Sequence, residues 1–562
     1  MATLFVAGAF VSPVHADGVA GPYLAAQAAS QRSDYAAAAT YFTQALAHDP
    51  GNTGLMEVAA LSDVALGDFD AALPLAKTMV ATGMTSPTAN IIVLADQLKR
   101  GAFDEALAGI AAGKGLGPLV DGLVGAWALV GEGKMSDALA AFDKLGANPG
   151  LQAFALYHKA LAMASVGDFE GAEKIFAGGD GAVLNLSRRG VIADAEVLSQ
   201  LDRNPDAVKL LDSSFGQEAD PVIDALRQRL KDGQTLPFDV VRNATDGLSE
   251  VFFSVAAALK GEAADSFSLV YARTAEDLRP DNADAVLLTG DLLESQGQQE
   301  LAITAYGKVS RDDPAYYNAQ LGRAQALYAA GQIDAGIDAM KQLTTAHPEQ
   351  IAAQMGLGDL LRKQERYTEA AKAYDAAVAL IQTPQQGDWT LFYVRGICNE
   401  RQGQWDKAEP DFREALVLQP DQPEVLNYLG YAMVERGEKL PEALDMIKRA
   451  VAARPDDGYI VDSLSWVYYR TGQYEKALPI AEHASQLMPV DPVVTDHLGD
   501  VYWAVGRKLE AEFQWHRALS YDPDPKDAAR IKRKLEIGLD AVLKEEGAAP
   551  LKIVVDNGSS GG

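Results

Sequence analysis

An all-α solenoid of tandem helix-turn-helix units is the fold the sequence predicts, and three observations predict it. At 562 residues the chain is too long for one ordinary core. Alanine is abundant, whereas the Val/Thr-rich alternation of strands is scarce. A small residue also returns at a near-constant interval: Ala302, Gly336, Ala370, Ala408, Ala443, Ala477 and Ala511 step by 34, 34, 38, 35, 34 and 34, and Ala38, Ala72, Ala106, Ala138 and Ala172 by 34, 34, 32 and 34.

The last unit shows why the interval builds a helix pair. Thr495, Leu498, Gly499 and Tyr502, at relative positions 4, 7, 8 and 11, share one face of a first helix. Ala511, Trp515 and Ala518, at positions 20, 24 and 27, form a stripe on a second. Gly506 permits the turn between them, and Pro523 ends the unit. The same landmarks stand 34 residues upstream at Leu464, Tyr468, Gly472, Ala477, Ala481 and Pro489. Small side chains at positions 8 and 20 let the helices approach, and the bulky residue at 24 fills the space beside them.

These landmarks resemble the tetratricopeptide repeat, over about residues 19 to 523, and the resemblance implies that the solenoid is a right-handed superhelix. The organisation expected is as follows. Residues 1–16 are a signal peptide, because the apolar stretch Leu4–Ala16 ends in small residues at cleavage spacing, and this places the protein in the periplasm, or in the cytoplasm if the segment is not a signal. Residues 17–180 form an N-terminal array of five units. Residues 181–282 lose the landmarks and read as degenerate repeats and a hinge. Residues 283–523 hold seven units, 524–546 a capping helix with Ile531, Leu535, Leu539 and Val542 on one face, and 547–562 a disordered tail.

A net charge of −29 disfavours nucleic acid and anionic membrane surfaces as partners. The basic run Arg530, Lys532, Arg533, Lys534 reads as a solvated helix face. No apolar run after the signal reaches the roughly 20 residues of a membrane span. The single cysteine, Cys398, allows no intrachain disulfide and no multi-cysteine metal site, and reads as a buried thiol. No histidine pair has the spacing of a zinc helix, and neither a nucleophile elbow nor a complete phosphate loop is present. No catalytic residue, metal or cofactor is expected; the chain reads as a non-enzyme whose oligomeric state is open.

The tetratricopeptide resemblance implies that positions 2, 5, 9, 12 and 13 of the first helices face a groove. In the last three units these include Asn427, Tyr431 and Glu435, then Asp462, Trp466, Tyr469 and Arg470, then Asp496, Asp500 and Trp503. Rings beside carboxylates suit a peptide with basic or polar groups. The runs Asp462-Ser-Leu-Ser-Trp466 and Asp496-His-Leu-Gly-Asp-Val-Tyr-Trp503 are similar to the C-terminal repeats of bacterial envelope adaptors for carboxyl-terminal processing proteases. That resemblance implies a scaffold holding a periplasmic protease against cell-wall hydrolase substrates. This sequence lacks the lipid-anchor cysteine of such adaptors. The alternative is an organising factor for polysaccharide or peptidoglycan synthesis or export, its rings stacking on sugars.

Overall fold

The structure is a computed structural model that describes residues 19–179, 184–216 and 220–551. The expected signal peptide and the tail beyond residue 551 lie outside the described residues. Among those described, the chain runs through 31 α-helices with no named strand, as the sequence predicts.

One helix pair explains the rest. The carboxylate of Asp491 accepts hydrogen bonds from the Val493 and Val494 N–H groups, 2.9 Å each, and so caps the helix Pro492–Ala504. Gly506, at φ +84°, turns the chain into Lys508–Leu519. The two helices then close on each other at Gly499, where a Cβ would lie only 2.5 Å from the Trp515 indole nitrogen, and Trp515 is fully buried. The recurring small residues Ala38, Ala72, Ala106, Ala138, Ala172, Ala302, Gly336, Ala370, Ala408, Ala443, Ala477 and Ala511 are all buried.

The chain divides into two compact units, Met1–Leu360 and Leu361–Gly562. In the first, ten helices from Ala20–Ser30 to Phe169–Phe176 make five pairs. Residues 181–282, where the sequence suggests degenerate repeats and a hinge, are helical over most of their described length. That segment holds the helices Arg188–Gln200, Asn204–Phe215, Pro221–Lys231, Ala244–Leu259 and Asp265–Leu278, and the last two pack against first helices of the array, Thr53–Leu66, Pro87–Lys99, Pro118–Gly131 and Gln152–Ser165. Gly247 lies so close to Trp127 that a Cβ would be 2.3 Å from its ring. The buried Arg273 donates to the Ala65 carbonyl at 3.1 Å, and Tyr157 donates to Glu250 at 2.8 Å. The inner face of the N-terminal array is thus occupied by the chain itself.

The second unit runs from Tyr367–Leu380 through four further pairs to Lys508–Leu519 and ends in two short helices rather than the single one expected: Pro525–Ile537 and Leu539–Glu545. Gly538, at φ +80°, breaks them apart, and a Cβ there would meet the Trp503 ring at 2.8 Å.

Candidate protein-binding site

The first helices Pro423–Arg436, Gly458–Arg470 and Pro492–Ala504 of three consecutive pairs and the two terminal helices line an open cavity of about 720 Å³ in the second unit. Tyr431, Glu435, Trp466, Tyr469, Arg470 and Asp496 line it, six of the residues the sequence marks. Repeat geometry accounts for this, because equal register positions on successive first helices stack into one wall.

Asn427, Asp462, Asp500 and Trp503 do not line the cavity. Asp462 is buried, its Oδ2 held 2.7 Å from His497 Nδ1, and Asp500 is fully buried. Trp503 donates its indole N–H to Asp540 at 2.9 Å, beneath the helix Leu539–Glu545. For Asp500 and Trp503 the physical reason is one the landmarks do not carry: the terminal helices cover the last repeat. Asn427 Oδ1 and Asp462 Oδ1 are buried acceptors without a hydrogen-bond partner among the described residues.

The wall of the cavity is an aromatic stack. Tyr469 lies on Trp466 at 4.7 Å and 14°, and His497 lies on Trp466 at 3.9 Å and 12°. The indole N–H of Trp466 donates to Glu435 at 2.5 Å, and Arg470 donates to the same carboxylate at 2.9 Å. Burial alone would push the His497 imidazole down, but the Asp462 carboxylate, with Asp496 and Asp500 behind it, holds its pKa above the ordinary value. Tyr431 is raised by burial and then by Glu435 and Asp462. His497 was not marked by its unit, since position 6 varies. The signal that finds it is the 35-residue step from Asp462, one repeat plus one residue, which brings the two side by side.

The opposite wall corrects the reading of the basic run. Lys532 and Arg533 are exposed, but Arg530 and Lys534, four apart on Pro525–Ile537, share the face of Ile531 and turn inward. The Lys534 side chain is 0 % exposed; its Nζ donates to Asp496 at 2.8 and 2.9 Å and to Asp500 at 2.6 Å. Arg530 bridges to Glu546 at 2.8 Å. Burial raises the Asp496 carboxyl, with Lys534 opposing the shift. No group of His, Cys, Asp and Glu that could hold a metal ion occurs among the described residues, and no described helix is long and apolar enough to cross a membrane.

Comparison with known proteins agrees with the helical pattern. The tetratricopeptide-repeat family model matches residues 23–87, 261–317, 321–386 and 393–458. The TPR repeat-containing protein PA4667 of Pseudomonas aeruginosa is 31% identical over 215 residues, which is 38% of this chain and 35% of that protein. The cellulose synthase operon protein C of Xanthomonas axonopodis is 27% identical over 235 residues, 38% of this chain and 15% of that protein. The chain therefore spans about a third or less of the length of these relatives. Among solved structures, the Cut9–Hcn1 hetero-tetramer of the APC/C aligns over 92% of this chain and 96% of that one at 17% identity, with a TM-score of 0.39. The family match marks residues 23–87, 261–317, 321–386 and 393–458 as tetratricopeptide repeats, and paired helices with buried small residues continue beyond them among the described residues.

Proposed function

We propose that this protein is a non-enzymatic scaffold that holds an extended segment of a partner protein in the cavity of its second unit. The observation that carries the reading is the cavity itself: about 720 Å³, walled by the Tyr469–Trp466–His497 stack and edged by Glu435 and Arg470, both exposed. A site of this size takes a few side chains, the rings supply apolar area, and the charged edge fixes polarity and register. In the finer reading the protein is periplasmic and brings a carboxyl-terminal processing protease to its cell-wall substrates, raising their effective concentration. The resemblance of the Asp462–Trp466 and Asp496–Trp503 runs to such adaptors supports it.

In-cell photo-cross-linking from a side chain placed at position 470 tests both levels. The expected product joins this protein to a processing protease or a cell-wall hydrolase. Replacing Tyr431 and Arg470 together by alanine should lower partner capture by about tenfold or more, helical content unchanged. Undiminished capture overturns the site. The second reading, organisation of polysaccharide synthesis or export, draws on the similarity to the cellulose synthase operon protein C; recovery of glycan rather than protein from the same cavity favours it.

A further inference from the structure

Lys534 is an ammonium taken wholly out of water, on a helix that otherwise docks through Ile531 and Leu535. Pro525–Ile537 buries only Ile531 and Lys534, whereas the preceding Lys508–Leu519 buries Ala511, Gln514, Trp515 and Ala518. The terminal helices already bury Ile531, Leu539 and Val542, so closing the array does not call for a buried ion pair, whose desolvation returns little net stability. The receiving site is built for a cation. Asp496 and Asp500 supply three oxygens within 2.9 Å of Nζ, the Trp515 ring lies 5.6 Å below it, and the Trp515 N–H, 3.0 Å from Asp500, orients that carboxylate.

The two terminal helices also pair with each other as a hairpin. Arg530 pairs with Glu546 and Arg533 with Glu545, the latter at 2.7 Å. A short linker, Ser520 to Asp524, containing Pro523 and with Asp522 at φ +54°, joins the hairpin to the last repeat. The hairpin forms one wall of the cavity, so its position decides how wide the cavity opens.

We infer that Asp496, Asp500 and the Trp515 ring form a receptor for a lysine side chain, that Lys534 occupies it in the unbound chain, and that a lysine-bearing segment of the partner displaces Lys534 and lifts the terminal hairpin. This rests on the reading of the cavity as the partner site and names the partner's chemistry. The occupant is basic because three acceptor oxygens converge on one point and the chain's own answer to them is an ammonium. Competition with Lys534 lowers apparent affinity by the fraction of time the hairpin is open, so the partner engages only at sufficient local concentration.

Fluorescein-labelled hexalysine, titrated into the full chain at about 0.15 M salt, is the probe. Saturating hexalysine should raise backbone hydrogen exchange across residues 525–545, and Lys534→Met, which keeps the aliphatic stem, should tighten hexalysine binding by about tenfold or more. Diffuse attraction to an acidic surface moves neither quantity. Unchanged protection of 525–545 at saturation overturns the inference, as does equal or weaker binding by a folded Lys534→Met chain. If that variant does not fold, exchange in the unaltered chain decides alone. Loss of partner capture by the Tyr431/Arg470 variant with the hairpin still protected sinks this inference and leaves the cavity reading standing. Hairpin lifting in a chain whose partner capture ignores Tyr431 and Arg470 sinks the cavity reading alone.

Discussion

Single side chains set the repeat's tolerances. At Gly499 the absent Cβ lets the Trp515 indole lie against the first helix and reach Asp500, so one methyl group is enough to disturb the end of the array. Gly499→Ala should cost about 1–3 kcal/mol by overpacking, measured by urea unfolding. A loss well under 1 kcal/mol would mean that Trp515 has room to retreat. Gly396 makes the same approach to Phe412, with a Cβ-to-ring distance of 2.7 Å, so this is a feature of the repeat and not of one unit. His497 shows the opposite case, a residue made important by its neighbours Asp462 and Trp466 in the preceding unit and not by its own register.

Elements show which parts of the fold the sequence announces. Spacing of Ala, Gly and Pro locates the helix pairs from residue 19 to 179 and from 283 to 523, because each landmark answers a local demand: a close approach, a turn, a stop. Six of the ten marked groove residues line the cavity for the same reason, since register repeats. The rest was illegible because it depends on helices that leave the period. Asp500 and Trp503 are covered by the terminal hairpin, and Ala244–Leu259 with Asp265–Leu278 lies along the N-terminal first helices. The apolar runs of these two helices mark them as buried without saying against what. Their docking has a direct check. Gly247→Leu would drive a side chain into Trp127 and should destabilise the first unit by about 1–3 kcal/mol or more, with faster hydrogen exchange across 244–278. Exchange that stays slow would place that helix elsewhere.

The molecule as a whole carries a pH signature written in buried acids. In the first unit burial pushes Asp194 up to about 7, Glu196 up to about 8 and Glu294 up to about 7. Between the ordinary carboxyl value and these raised values the folded state holds protons that the unfolded chain has lost, so stability falls as pH rises through that window. In the second unit His497 acts in the same direction: its raised pKa contributes stability that is complete below the ordinary imidazole value and is lost as pH climbs through the folded one. Thermal unfolding followed from pH 5 to pH 9 should therefore shift steadily to lower temperature, and Glu196→Gln should flatten the slope of the first unit. A midpoint that rises with pH would contradict the assignment of these groups as buried.

The helices Ala244–Leu259 and Asp265–Leu278 also decide where new specificity can be engineered. Inward-facing positions between residues 53 and 165 press on protein from both sides, so Trp127 and its neighbours must be treated as interior when libraries are designed. Randomising them would cost folding before it altered recognition. Variation is better placed at Glu435 and Arg470, which touch the cavity and are exposed.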